Sequence, residues 1–174
     1  TSADNLLDKE DKCVLPLAMP GSSRMMREVV ALMAADRVLW RLLNVAVSDG
    51  TLTERQASAL ADESLRCLLP SAGQEASEEG GVMDRPEPAY VLDTIHVLKT
   101  GLLFNIPFTG VDIVEEDVDR DRLARIKQAL LLFGGGCQLL DDVRDIARDF
   151  VEGRHNYVLS VLAHERADVL EAWS

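Results

Sequence analysis

The chain has 174 residues, of which 47% are hydrophobic, and its formal net charge is -12. This length suffices for one domain with a single core, and the hydrophobic fraction excludes an intrinsically disordered chain. The negative charge argues against nucleic acid as a partner, because phosphate backbones are bound by clustered Lys and Arg. We therefore expect one domain over residues 1–174, in which any anionic ligand is bridged by metal ions.

Apolar residues at three- and four-residue spacing predict helices, and no segment shows strand alternation. A first helix is expected over residues 21–46. The capping-box spacing of Thr53 and Gln56 predicts the start of a second, which ends before Pro70. Residues 71–88 mix Gly, Ser, Glu and Pro and are expected to form a loop. Later helices are expected at about residues 90–104, 118–150 and from 157 onward, so the fold class is all-α.

Cysteine usage and hydropathy bear on localisation. Cys13, Cys67 and Cys137 form no CxxC pair, which suggests neither a zinc site nor a disulfide framework. No apolar stretch reaches the roughly 18 residues of a membrane span, and no signal peptide is expected. A cytoplasmic protein with no transmembrane segment is expected.

The strongest chemical signal is GGGCQLLDDVRDIARDF at residues 134–150. Three glycines each cost a helix about 1 kcal/mol, so they imply close packing, a kink or a break. At about 100° per residue, one arc of roughly 100° contains the polar side chains of Gln138, Asp141, Asp142, Asp145 and Asp149. A solvated helix face is the simpler interpretation. Stacked aspartates repel each other, however, and a hard cation such as Mg²⁺ would compensate them. A weaker acidic cluster at Asp4, Asp8 and Asp11 precedes it.

In this order the motifs resemble those of the trans-isoprenyl diphosphate synthases. Asp4 to Asp8 is similar to the family's first aspartate-rich motif DDxxD, and residues 137–145 are similar to its second, FQxxDDxxD. Between and after them lie matches to GDxLL, the GQ dipeptide, KTxxL and a later basic residue, at Ala35-Asp36, Gly73-Gln74, Lys99-Thr100 and Arg154. The resemblance spans nearly the whole chain.

The resemblance implies an isoprenoid synthase-type helical bundle around a central cavity, with the family's N-terminal helices absent from this chain. It implies that Asp4 and Asp8 hold two magnesium ions and that Asp141, with Asp145, holds a third. Lys99, Arg154 and Gln74 would bind the diphosphate, while Thr100 and Gln138 would direct dipoles toward an allylic cation. The implied activity is a prenyltransferase that condenses an allylic prenyl diphosphate with isopentenyl diphosphate, acting as a homodimer.

Three departures from the family pattern keep other functions open. Asn5 replaces the second Asp of the first motif, the paired arginines after that motif are missing, and the isopentenyl diphosphate pocket would lie upstream of Thr1. A terpene cyclase or a head-to-head, squalene- or phytoene-like synthase is one alternative, and residues 153–157 resemble the GRxY motif of the latter. A non-catalytic regulatory subunit is another. The three histidines are interpreted as structural, and Trp40, Phe104, Phe108 and the methionines as core or cavity-lining residues.

Overall fold

The computed structural model describes residues 24–173, which form helices joined by short turns and contain no strand. The all-α prediction is confirmed for this part of the chain, whereas the isoprenoid synthase arrangement stays a prediction. The helices are α1 (Arg24–Ser48), α2 (Glu54–Glu78), α3 (Pro88–Val114), α4 (Arg120–Glu152), α5 (Tyr157–Glu165) and α6 (Ala167–Glu171).

The chain divides into two compact units, Thr1–Ala61 and Asp62–Ser174, with the boundary inside α2. In the first unit the predicted capping box is confirmed. The Gln56 N–H donates to Thr53 Oγ1 at 3.2 Å, and the Thr53 N–H donates to Gln56 Oε1 at 2.9 Å. Trp40, expected in the core or lining a cavity, is 62% exposed and lines a pocket of this unit together with Leu43 and Val47.

Helix α2 does not end before Pro70, so that prediction is wrong. The helix continues to Glu78 and includes the Gly73-Gln74 dipeptide. Of the loop expected over residues 71–88, only residues 79–87 lie outside helices. A proline inside a helix costs about 3 kcal/mol, which is why the sequence suggested an end. The turns after Pro70 are held by tertiary contacts instead, since Ser71 donates to the Lys99 carbonyl oxygen and Glu78 is fully buried.

Helix α3 changes its winding along its length and extends well past the expected end at about Phe104. It is π-helical at Val91–Ile95 and Val97–Gly101, 3-10 helical at Leu102–Phe108, and α-helical at Thr109–Val114. Wide turns of this kind are frequent at functional sites because they change the direction of the side chains that follow. His96, Lys99 and Thr100 lie in this widened part.

By length and composition, α3 is the one helix within residues 24–173 that is apolar enough to cross a membrane. Core helices of soluble proteins meet the same criterion. The sequence-based expectation of no transmembrane segment therefore stays a prediction.

Helix α4 runs unbroken through its three glycines and packs against α3. A Cβ atom at Gly134 would lie 2.8 Å from Cδ2 of Phe104 and 3.2 Å from Cα of Gly101, whereas one at Gly136 would meet nothing within 4 Å. Of the three explanations for the glycines, close packing is confirmed at Gly134. Phe104 also meets Phe133 edge to face, with ring centroids 5.4 Å apart.

The second unit buries polar groups beside a small apolar core. Its fully buried apolar side chains include Val91, Ile95 and Leu159. Charged and amide groups are buried among them, namely Glu78, His96, Asp142, Asp149 and Asn156. Buried polar groups destabilise a fold unless they are hydrogen-bonded, so these five need partners inside the protein.

Replacing Gly134 tests the close packing of α3 and α4. We expect Gly134→Ala to lower the free energy of unfolding by about 1 to 3 kcal/mol, because the methyl group overpacks the contact with Phe104. Gly136→Ala is the matched control and should raise it by up to about 1 kcal/mol through helix propensity alone. Urea titrations measure both variants, and equal effects would contradict the assigned contact.

Candidate functional site

Four residues that the sequence singled out lie in one polar network of the second unit. Gln74 lies near the end of α2, Lys99 and Thr100 lie on α3, and Gln138 lies on α4. The Thr100 hydroxyl donates to Gln138 Oε1, and both Lys99 and Gln74 donate to the carboxylate of Glu78. Asp4 and Asp8, the predicted first metal site, lie outside the described residues.

Glu78 is the centre of this network, although sequence reasoning did not select it. Its Oε1 accepts from Gln74 at 2.8 Å and lies 3.0 Å from Nδ1 of His155. Its Oε2 accepts from Lys99 Nζ and from the His155 backbone N–H, each at 3.0 Å. Both carboxylate oxygens are thus occupied by donors from three separate chain segments, and the side chain is 0% exposed.

Glu78 remains ionised despite its burial. Burial is the largest single influence and by itself raises the pKa, but the His155 ring, the charge of Lys99, Gln74 and the His155 N–H together outweigh it. They lower the pKa of Glu78 from 4.5 to about 2. At neutral pH, Lys99 therefore faces a permanent negative charge.

Asp142 links α3, α4 and the start of α5. Its Oδ2 lies 2.8 Å from His96 Nε2 and accepts from the Tyr157 N–H, while its Oδ1 accepts from Gln138 Nε2 at 3.2 Å. Because a carboxylate only accepts, the Gln138 amide must direct its nitrogen toward Asp142 and its oxygen toward Thr100. The orientation of one predicted catalytic residue is therefore set by a buried acid.

Asn156 closes the network beside Asp149. Its amide nitrogen donates to the Asp142 carbonyl oxygen at 2.7 Å and to Asp149 Oδ2 at 2.8 Å, and its side-chain oxygen caps α5. Burial is the main cause that raises the pKa of Asp149, and the charge of Asp142 adds to it. The Asn156 hydrogen bond and the charge of Lys99 act the other way. Lys99 is thus electrostatically coupled to Asp149 as well as to Glu78.

The predicted metal ligands of α4 lie on the more open side of the same helix. Asp141 is exposed and Asp145 is half-buried. The pKa of Asp141 is raised by partial desolvation and by the charge of Asp145. Within residues 24–173, Asp141 has no hydrogen bond or ion pair, and no group of three or more His, Cys, Asp or Glu side chains is arranged to hold a metal ion. Two carboxylates match what Mg²⁺ takes from a protein, provided that phosphate and water oxygens complete its shell.

Arg154 lies in the tight turn between α4 and α5. Gly153 adopts a left-handed conformation with φ of 67°, and the Arg154 N–H donates to the Asp149 carbonyl oxygen at 2.9 Å. Arg85 donates to the Arg154 carbonyl oxygen at 2.8 Å. The Arg154 side chain is only 12% exposed, and its Nε lies 3.8 Å from a Glu152 oxygen. The backbone of this predicted substrate-binding residue is therefore fixed next to His155.

Comparison of this chain with models of known protein families, with curated proteins and with solved structures found no match. Function is therefore inferred from the residues of the site. Sequence reasoning missed Glu78, His96, His155 and Asn156 as members of it. One signal was present, because Glu78 follows Gln74 by four positions and so lies on the same helix face once α2 extends past Pro70.

Glu78 and Asp149 are both buried carboxylates, but their contributions to the free energy of unfolding should change with pH in opposite directions. A lowered folded-state pKa means that Glu78 stabilises the fold above pH 4.5 and loses this contribution as the pH falls toward about 2. We expect Glu78→Gln to cost about 3 kcal/mol at neutral pH and progressively less in acid.

Asp149 has a raised pKa, so its ionised form opposes folding at neutral pH and this cost is relieved as the pH falls. Asp149→Asn keeps an oxygen that accepts from Asn156 and should leave stability equal or higher at pH 7. Denaturant titrations between pH 3 and 7 measure both variants. Parallel pH dependence in the two variants would contradict the assigned electrostatics.

Proposed function

We propose that this chain is a magnesium-dependent prenyltransferase, which ionises an allylic prenyl diphosphate for condensation with isopentenyl diphosphate. The observation that supports the proposal is the hydrogen bond between Thr100 and Gln138, with Lys99 next to Thr100. These residues are 38 positions apart and come from α3 and α4. By the resemblance, the dipoles of Thr100 and Gln138 would stabilise one carbocation, and Lys99 would bind its diphosphate leaving group.

The orientation of the two dipoles suits a developing positive charge. Because Gln138 directs its amide nitrogen to Asp142, the Thr100 hydroxyl gives its proton to the Gln138 oxygen. The lone pairs of the Thr100 oxygen are then free to face a cation without rotation of the hydroxyl group. Oriented dipoles of this kind stabilise charge in the transition state without reorganisation.

The leaving diphosphate requires positive charge at the same place. Lys99 and Arg154 would contact it directly, and Gln74 would hold Glu78 behind Lys99. Asp141 and Asp145, together with Asp4 and Asp8, would hold magnesium, which when bound neutralises the departing diphosphate. Terpene cyclases and head-to-head synthases begin with the same ionisation, so products distinguish them from elongation.

A non-catalytic subunit is the second candidate, and one observation favours it. Lys99 is paired with Glu78 at 3.0 Å and lies 3.8 Å from Glu75, so protein carboxylates already surround it. A network kept only for its structural role would show the same pairing. Binding and turnover experiments separate the two candidates.

Thermal unfolding with ligands tests the binding site. We expect magnesium together with inorganic diphosphate to raise the melting temperature, and either one alone to do much less, because each supplies only part of the other's coordination. Asp141→Asn should abolish most of the shift. Asp121→Asn, an exposed acid on the first turn of the same helix, should retain it. Equal shifts in both variants would place the metal elsewhere.

Turnover of the full-length protein with farnesyl diphosphate, with and without isopentenyl diphosphate, tests the activity. We expect elongated product only with both substrates, and about 100-fold slower turnover with a nearly unchanged KM in Thr100→Val, because the dipole acts mainly in the transition state. Thr94→Val, the same change one and a half turns earlier on α3, is the control. Diphosphate binding without any product would favour the non-catalytic subunit, and product from farnesyl diphosphate alone would favour the cyclase or the head-to-head synthase.

A further inference from the structure

We propose that Glu78 is a positioning residue, which fixes Lys99 and the turn that contains Arg154 as one phosphate-binding unit. This inference rests on the proposed function, because both cations are its proposed diphosphate ligands. Glu78 itself is fully buried and would not touch the substrate.

The inference rests on the different partners of the two carboxylate oxygens of Glu78. Oε2 accepts from Lys99 Nζ on α3 and from the His155 N–H in the turn after α4, each at 3.0 Å. Oε1 accepts from Gln74 at 2.8 Å and lies 3.0 Å from His155 Nδ1. One oxygen atom therefore joins the lysine to the residue that follows Arg154.

Lys99 needs such a partner if it is to bind a phosphate group in a defined place. A lysine side chain is a point charge on four rotatable carbons and has no preferred fork geometry of its own. Here the lysine side chain is 10% exposed and one of the three ammonium donors is committed to Glu78, so the others are limited to a small set of directions. The turn is held from its other side as well, since Arg85 donates to the Arg154 carbonyl oxygen.

Positioning and simple charge balance predict opposite effects when Glu78 loses its charge. Coulomb attraction alone would make a site without a nearby carboxylate bind diphosphate more tightly. Loss of positioning would make it bind more weakly, because Lys99 and the turn would no longer share an anchor. The sign of the change in affinity therefore decides between the two.

Calorimetric titration of the full chain with inorganic diphosphate in excess magnesium measures that sign. We expect Glu78→Gln to raise the dissociation constant about five- to fiftyfold, the range usual for groups that act through one another. Glu75→Gln is the matched control. It removes the same charge from the same helix beside the same lysine but lies 3.8 Å from Nζ, so affinity should stay equal or increase. Tighter binding by Glu78→Gln would overturn the inference.

Two further variants keep the test decisive if Glu78→Gln folds poorly. Glu78→Asp retains the charge but is one carbon shorter, so it should weaken binding through geometry alone. In a Lys99→Gln background, Glu78→Asp should lose the part of its effect that acts through Lys99, because one of the two anchored groups is gone. If Glu78→Asp weakened diphosphate binding equally in that background, Glu78 would have only a structural role. Wild-type protein that binds no magnesium diphosphate would overturn the proposed function itself, whereas wild-type binding with an inert Glu78→Asp would overturn only this inference.

Discussion

A carboxylate that water does not reach must be compensated inside the protein, and Glu78 is compensated by donors from three chain segments. Its bonds to Lys99 and to the His155 N–H tie the end of α2 to α3 and to the turn after α4. Breaking a buried pair of this kind leaves an uncompensated charge and costs about 3 to 5 kcal/mol. That penalty is comparable to the cost of a proline in a helix, which explains why α2 continues past Pro70 to deliver Glu78 to this place.

The rest of the polar network follows from the same constraint. Asp142 accepts from Tyr157 and contacts His96, and Asn156 uses its amide nitrogen on Asp149 and its oxygen to cap α5. The carboxylate and the backbone carbonyl of Asp142 can only accept, so Gln138 and Asn156 must direct their amide nitrogens toward them. Such a network fixes side-chain orientation more strictly than an apolar core of the same size, since a wrong rotamer leaves a buried polar atom unpaired. The free-energy cost of burying polar groups is visible at Asp149, whose pKa is raised because burial disfavours its charged form.

The sequence predicted the features that depend on local chemistry. The all-helical character and the Thr53–Gln56 capping box follow from periodicity and spacing. Close packing is one of three interpretations of the glycines of α4, and it holds at Gly134. Sequence reasoning failed at the end of α2 and along α3, where tertiary contacts override Pro70 and Pro107. It selected Gln74, Lys99, Thr100 and Gln138 because the resemblance placed them in order. It missed Glu78, because its spacing to Gln74 is a signal only once α2 continues past Pro70, and it missed His155, because a hydrogen bond between distant segments leaves no pattern in a single sequence. It also treated the acidic face of α4 as uniform, whereas Asp142 and Asp149 are buried and Asp141 is exposed.

The charge balance around Lys99 determines what the proposed site requires from outside the protein. The negative charge of Glu78 already balances the positive charge of Lys99, and Lys99 also interacts electrostatically with Asp149. The whole chain carries a net charge of -12. A diphosphate would therefore meet little uncompensated positive charge from the protein alone. In the proposed site, its binding would rely on divalent cations held by Asp141 and Asp145, and Lys99 would supply direction rather than most of the attraction. In such a site the aspartates set affinity through the metal, and the buried network sets geometry, so the two properties can be altered separately by substitution.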